Sequence, residues 1–195
     1  MYQNYNFGQR ALHELCLSSR KIRRYCFDFE RDNFLNGPTA HDNTHVFVAG
    51  LARSGTTALL EALYASGKFG SLTYEDMPFA LAPNFWAKLR KKNIEHHREE
   101  RAHGDGLMVG LDSPEAFEEI FWQSYCENTE SDFFQDYVTL ILKRRKKDRY
   151  LSKNNQNINR IARIQQIFPS AINLIPFRNP VYHAASLIKQ HKRFC

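Results

Sequence analysis

Gly50-Leu51-Ala52-Arg53-Ser54-Gly55-Thr56-Thr57 fits the frame of the phosphate-binding P-loop, GxxxxGK[ST], at every position but one. Where that loop requires lysine, the chain has Thr56. The backbone part of the chemistry survives the change. Amides from Arg53 to Thr57 can wrap an anion, and a helix behind them adds its positive end. Gly50 and Gly55 let the main chain turn tightly and approach the anion. What is lost is the ammonium that meets the β- and γ-phosphates of a nucleoside triphosphate. A cation stands instead at Arg53, three residues earlier and on the lip of the loop, which suits a shorter anionic ligand.

The elements around this loop must hold it in place. Val46-Phe47-Val48-Ala49 is a continuous apolar run of the kind that forms a strand buried on both faces. A helical stretch from Ala58 to Ser66 follows, with Leu59, Leu60, Leu63 and Tyr64 as its apolar positions. Strand, glycine loop and helix begin an α/β nucleotide-binding unit. A second strand is expected over Phe69–Tyr74, and a charged helix over residues 84–105. Asp112-Ser113-Pro114-Glu115 reads as a helix start, with a capping oxygen, a first-turn proline and acids near the positive dipole end. That helix would bury Phe117, Ile120 and Phe121. Another runs through Phe134, Tyr137, Val138, Ile141 and Leu142 and ends in Lys143-Arg144-Arg145-Lys146-Lys147. Tyr150-Leu151-Ser152 reads as a short strand leading to Lys153. Ile158, Ile161, Ile164, Ile167 and Phe168 keep a helical period. A last strand spans Ala171–Phe177, and Arg178-Asn179-Pro180 turns into a helix carrying Ser186. Strands alternating with helices imply a three-layer α/β/α fold around a parallel sheet, Rossmann-like in outline and akin to P-loop NTPases. Residues 1–40 read as an N-terminal helical extension through Leu12, Leu15, Ile22 and Phe27, broken at Asn36-Gly37-Pro38, and residues 41–195 as the α/β domain.

Composition narrows the class. The chain has 195 residues, 43% hydrophobic and 13% aromatic, as a folded domain requires. No apolar run approaches the roughly 20 residues of a membrane span, and the first thirty residues lack the apolar block of a signal peptide. Cys16, Cys26, Cys126 and Cys195 form no CxxC pair, which argues against a zinc ribbon or disulfide framework and for a reduced, cytoplasmic setting. The net charge of +6 favours an anionic ligand without choosing its class. His96, His97, His103 and Asp105 match no familiar metal-ligand spacing and read as a solvated charged helix. The run from Lys143 to Lys147 reads as cations at a helix C-terminus. Neither a metal nor a nucleic acid is therefore expected.

Residues 46–60 resemble the sulfotransferases that use 3′-phosphoadenosine 5′-phosphosulfate (PAPS), whose 5′-phosphosulfate loop commonly reads Arg-Ser-Gly-Thr-Thr after a strand. The resemblance extends over about residues 44–80 and 150–190, with weaker likeness around 107–126. It implies a P-loop-like sulfotransferase fold and in-line transfer of a sulfuryl group from PAPS to a hydroxyl, with Arg53, Ser54, Gly55, Thr56 and Thr57 binding the donor. In the family a second site, for the 3′-phosphate, uses an arginine and, eight positions later, a serine. Arg178 and Ser186 stand at that spacing. Arginine offers phosphate a planar fork, and the serine hydroxyl adds a donor. Both blocks then fall at the carboxyl ends of parallel strands, where open α/β sheets bind ligands.

The family is understood to need no metal, since the transferred group carries less charge than a phosphoryl and cationic side chains can replace Mg²⁺. Arg53 is the natural stabiliser of that charge, and Lys153 resembles a lysine other members place near the sulfate. Glu75 matches the region where some relatives carry a catalytic glutamate, and Asp76, His183 and His45 stand as alternative bases. Relatives with this loop often act on glycans, which implies a saccharide or lipid-linked saccharide (glycolipid) acceptor; protein tyrosine and small alcohols or phenols stay open. Family members usually continue well past the second phosphate site, so the chain is read as truncated at its C-terminal end. Two other readings are a kinase or NTPase with a degenerate P-loop, against which Thr56 and the want of a clear acidic Mg²⁺ ligand argue, and a basic nucleic-acid-binding module, which would show steep salt dependence. Asp112 is the nearest candidate for that acidic ligand.

Overall fold

The computed structural model describes residues 19–36, 44–90, 98–100, 106–125 and 131–194. In chain order its elements are α1 (Arg20–Phe34), β1 (Val46–Ala49), α2 (Thr56–Ala65), β2 (Phe69–Gly70), a 3₁₀ turn (Tyr74–Asp76) and α3 (Pro83–Leu89). Then come β3 (Glu99–Glu100), β4 (Met108–Val109), α4 (Glu118–Ser124), α5 (Ser131–Arg145) and β5 (Arg149–Asn154). A second 3₁₀ turn (Asn155–Asn159), α6 (Ile161–Ile167), β6 (Ile172–Leu174) and α7 (Pro180–Phe194) complete it.

The main sheet has four parallel strands in the order β2-β5-β1-β6, so the strand that feeds the glycine loop lies inside it. All four residues of β1 are buried, and they alternate between two cores. Phe47 points into an aromatic cluster with Phe121, Phe134, Tyr137 and Tyr150, under α4 and α5. Val46 and Val48 point the other way, onto Leu60 of α2, Phe69 and Leu151. Helices thus cover both faces, in the three-layer α/β/α arrangement with a P-loop-like frame that the alternation implies. α1 shares the larger core through Phe27, whose ring meets Phe121 at 5.6 Å and Tyr137 at 6.2 Å. Its Glu30 also caps α3, accepting the Asn84 and Phe85 amides at 2.7 and 3.0 Å.

Several boundaries differ from expectation for identifiable reasons. β2 ends at Gly70 because the chain turns at Thr73, whose amide donates to Asp76 Oδ2 at 2.8 Å. The helix expected after Asp112 begins only at Glu118. Residues 113–115 are occupied otherwise: Ser113 Oγ accepts the Gly110 amide at 3.0 Å, Pro114 bridges to Thr73, and the Glu115 amide donates to the Leu72 carbonyl at 3.4 Å. Among the described residues of the charged segment 84–105, the helical ones are those of α3, while Glu99–Glu100 pairs antiparallel with Met108–Val109. Lys153 lies within β5 and not beyond it, because Leu151–Asn154 pair in register with all of β1. β6 stops at Leu174, just before Pro176, which has no amide to extend the ladder. At this sheet edge and on α7, Ile175, Phe177, Val181, Tyr182 and Ile188 are exposed.

Candidate active site

Gly50 starts the loop where the last residue of β1 passes under it. A Cβ at Gly50 would sit 3.2 Å from both Ser54 Oγ and Thr56 Cγ2, so a larger residue would push the loop off the strand. Leu51 closes the turn, its carbonyl accepting the Ser54 amide at 3.2 Å and the Ser54 hydroxyl at 2.8 Å. Arg53 (φ 69°) and Gly55 (φ 98°) are both left-handed. For arginine that conformation is uncommon, and here it turns the loop over the start of α2. The first bond into that helix runs from the Leu59 amide to the Gly55 carbonyl at 3.0 Å, so the amides of residues 55–58 precede the intrahelical ladder. Together with the helix dipole they form a concave, electropositive end suited to an anion.

The second block arrives beside the first because β6 pairs directly with β1, Val48 opposite Leu174. Arg53 Nε donates to Ser186 Oγ at 3.1 Å, joining positions 133 residues apart. Arg178 reaches the Arg53 carbonyl at 3.5 Å, and His183 Nε2 donates to the Ala52 carbonyl at 2.7 Å. The loop residues, Arg178 and Ser186 thus converge at the carboxyl end of the sheet.

Glu75 also lies at this end, just after β2, but among arginines. Its Oε2 is 2.6 Å from Arg90, and its Oε1 is 3.2 Å from Arg144 and 2.5 Å from Arg145. Burial works to raise the Glu75 carboxyl. Hydrogen bonds and charge from Arg145 and Arg90 outweigh it and hold the group below its ordinary value. Asp76 is more deeply buried and bonded to Arg145 and the Thr73 amide. Burial pushes its carboxyl up, with the Arg145 charge offsetting part of that. The basic run at the end of α5 is therefore turned largely inward: Arg144 and Arg145 hold Glu75, Lys143 donates to the Asn36 carbonyl, and Lys147 to the Gly67 carbonyl.

Lys153 is buried, with Nζ 3.4 Å from Glu115 Oε1. The Tyr74 hydroxyl donates to Glu115 Oε2 at 3.4 Å. The sequence context of Glu115 suggests only a helix start; the pairing of residues 113–115 with Leu72 and Thr73 brings it to Lys153. His45 precedes β1, at the amino end of the strand and so opposite the loop, fully buried, with Nδ1 accepting the Tyr150 amide at 3.1 Å. That makes it a core residue. Among the described residues no group of three or more His, Cys, Asp or Glu could hold a metal, and no helix is long and apolar enough to cross a membrane. His96, His97, His103 and Asp105 lie outside the described residues.

A glycine loop on a central parallel strand, joined to a second cationic block after the neighbouring strand, belongs to an α/β protein of the P-loop-like fold class. Residues 45–194 match the sulfotransferase family, and the chain belongs to it. Its fold is similar to that of the sulfotransferase STF1 from Mycobacterium tuberculosis H37Rv, with a TM-score of 0.59 and 14% identity over 97% of this chain and 61% of that one. It is also similar to the sulfotransferase STF9 from Mycobacterium avium, with a TM-score of 0.56 and 14% identity over 97% of this chain and 57% of that one. The chain thus spans less than two thirds of the length of either. Among curated proteins no sequence matches it.

Proposed function

We propose that this chain binds PAPS and transfers its sulfuryl group to a hydroxyl of a saccharide or lipid-linked saccharide. The observation that carries the donor assignment is the contact of Arg53 with Ser186, which brings two independent anion-binding blocks together. A donor with phosphate groups at both the 3′ and 5′ positions of one ribose needs two such blocks. The Gly50 cradle and the left-handed Arg53 and Gly55 fit an anion wrapped by the amides of residues 55–58.

In this reading the loop, with Ser54, Thr56 and Thr57, holds the 5′-phosphosulfate, and Arg178 and Ser186 hold the 3′-phosphate. The donor supplies an activated sulfur for in-line displacement. Arg53 and Lys153 face the charge that builds on the transferred group and its bridging oxygen. Cationic side chains do this work without Mg²⁺, consistent with Thr56 in place of the P-loop lysine. The saccharide acceptor is supported by the Arg-Ser-Gly-Thr-Thr loop, and the cysteine spacing supports a reduced, cytoplasmic setting.

The test is transfer from ³⁵S-labelled PAPS to a panel holding a lipid-linked saccharide, a free oligosaccharide, a simple phenol and a tyrosyl peptide. Label in the saccharide fractions is the expected result. Label confined to the phenol or the peptide would overturn the acceptor assignment while leaving the donor intact.

A further inference from the structure

Resting on the donor reading above, we infer that His183 is a positioning residue for the loop. Its Nε2–H holds the Ala52 carbonyl and so fixes the turn on which Arg53 and the amides after it depend. The bond is 2.7 Å long and joins residues 131 positions apart. A carbonyl only accepts, so the ring nitrogen that meets it carries the proton and donates.

The bond falls where the loop backbone is least at ease. The Ala52–Arg53 peptide is planar, so whatever orients its carbonyl also orients the Arg53 amide on the opposite side. Rotations flanking that plane set ψ of Ala52 and φ of Arg53. Arg53 is left-handed, at φ 69°, a conformation that crowds the Cβ of any residue other than glycine. The turn then closes through the Ser54 amide and hydroxyl, which reach the Leu51 carbonyl at 3.2 and 2.8 Å. Gly55 follows at φ 98°, where no Cβ opposes the turn. A donor on the Ala52 carbonyl therefore holds the residue of the loop that has most to gain by relaxing.

The helix α7 delivers the ring to that carbonyl. Asn179 Oδ1 accepts the Val181 amide at 3.0 Å, and the Asn179 carbonyl accepts the His183 amide at 2.9 Å. His183 thus hangs from the first closed turn of a capped helix. Along residues 181–193 the positions that are not exposed are His183, Ser186 and Gln190, which share one helical face. That face meets the loop, since Ser186 takes Arg53 Nε at 3.1 Å one turn beyond His183. Val181, Tyr182 and Ile188, by contrast, are exposed. One polar face of α7 therefore grips two consecutive loop residues, Ala52 by its carbonyl and Arg53 by its side chain. His183 acts through the loop, and the block that carries Arg178 and Ser186 is thereby held in register with it.

The experiment compares the wild-type chain with His183→Ala, His183→Gln and Lys189→Ala. Glutamine places an amide N–H near the position of the histidine Nε2–H, and Lys189 is an exposed cation of the same helix. Affinity for adenosine 3′,5′-bisphosphate is measured by calorimetric titration. Exchange of the Ser54 amide is followed by NMR in the ligand-free protein. His183→Ala should bind the bisphosphate about tenfold more weakly and exchange the Ser54 amide about tenfold faster, near the upper end of one net hydrogen bond. His183→Gln should recover both to within about threefold of wild type, and Lys189→Ala should stay within about twofold.

Weaker binding with unchanged Ser54 exchange would make His183 a direct ligand of the donor. Equal losses in the alanine and glutamine variants would make it a packing residue of α7, and no loss in His183→Ala would leave the bond without consequence. Each of these overturns the inference. Failure of the wild type to bind the bisphosphate would instead sink the donor reading, while faster Ser54 exchange in His183→Ala would still show the ring holding the loop.

Discussion

Arg53→Ala is expected to weaken binding of adenosine 3′,5′-bisphosphate about a hundredfold, measured by calorimetric titration. One charge-assisted hydrogen bond in a sheltered site contributes about 1.5–3 kcal/mol, and Arg53 stands where the two proposed phosphate sites meet. Its Nε touches Ser186, its carbonyl receives Arg178, and its own backbone forms the turn of the loop. Alanine removes the cation and the bridge to α7 together. Arg53→Lys separates the two contributions. It keeps the charge but loses the planar fork, so it should fall between wild type and alanine, with about a tenfold loss. The backbone adds a check, since neither alanine nor lysine is favoured at φ 69° over the native arginine, and both variants should melt near wild type. Equal affinity in all three proteins would take Arg53 out of the donor site.

Arg145→Leu is expected to destabilise the fold by about 3–5 kcal/mol in urea unfolding at neutral pH, the usual loss when one member of a buried ion pair is removed. Arg145 donates to the Ser71 carbonyl at 2.9 Å, to Thr73 Oγ1 at 2.7 Å, to Glu75 at 2.5 Å and to Asp76. Leucine fills much of the space and leaves Asp76, with 2% side-chain exposure, without its ion-pair partner, while Arg90 and Arg144 still hold Glu75. The pH dependence has a defined sign. In the wild type the depressed Glu75 carboxyl contributes stability that is present above its unfolded value and lost as pH falls through the folded one. In the variant, Asp76 without its cation is favoured neutral, so the folded state gains from protonation. The gap between the two proteins should therefore narrow as pH falls through the carboxylate range. A loss below about 1 kcal/mol, or a gap that widens in acid, would contradict this account of the cluster.

The loop and its two flanking elements were legible because their signals are local. A continuous apolar run, two glycines at fixed spacing and a helical period need no knowledge of the rest of the chain, and Gly50 and Gly55 occupy positions that demand glycine. Arg178 and Ser186 were legible through family resemblance in spacing. Their contact with the loop follows from the adjacency of β6 and β1, which periodicity does not encode. Glu75 is expected directly after a strand ending at Tyr74, but the strand stops at Gly70. Glu75 sits in the 3₁₀ turn Tyr74–Asp76, and its surroundings come from α3 and α5. Arg144 and Arg145, read as cations at a helix end, turn inward to hold it. Glu115 shows the reverse case. Asp112-Ser113-Pro114-Glu115 has the local marks of a helix start, but pairing with Leu72 and Thr73 overrides them. Non-local pairing thus moved a residue from the helix dipole to the Lys153 side of the loop.

The most direct test of the central claim is a calorimetric titration of the purified chain with adenosine 3′,5′-bisphosphate, against ATP with Mg²⁺. The account predicts saturable binding of the bisphosphate, little affinity for ATP with Mg²⁺, and weakening by Arg53→Ala and by Arg178→Ala alike. Preference for ATP with Mg²⁺ would contradict it and return the loop to phosphoryl chemistry.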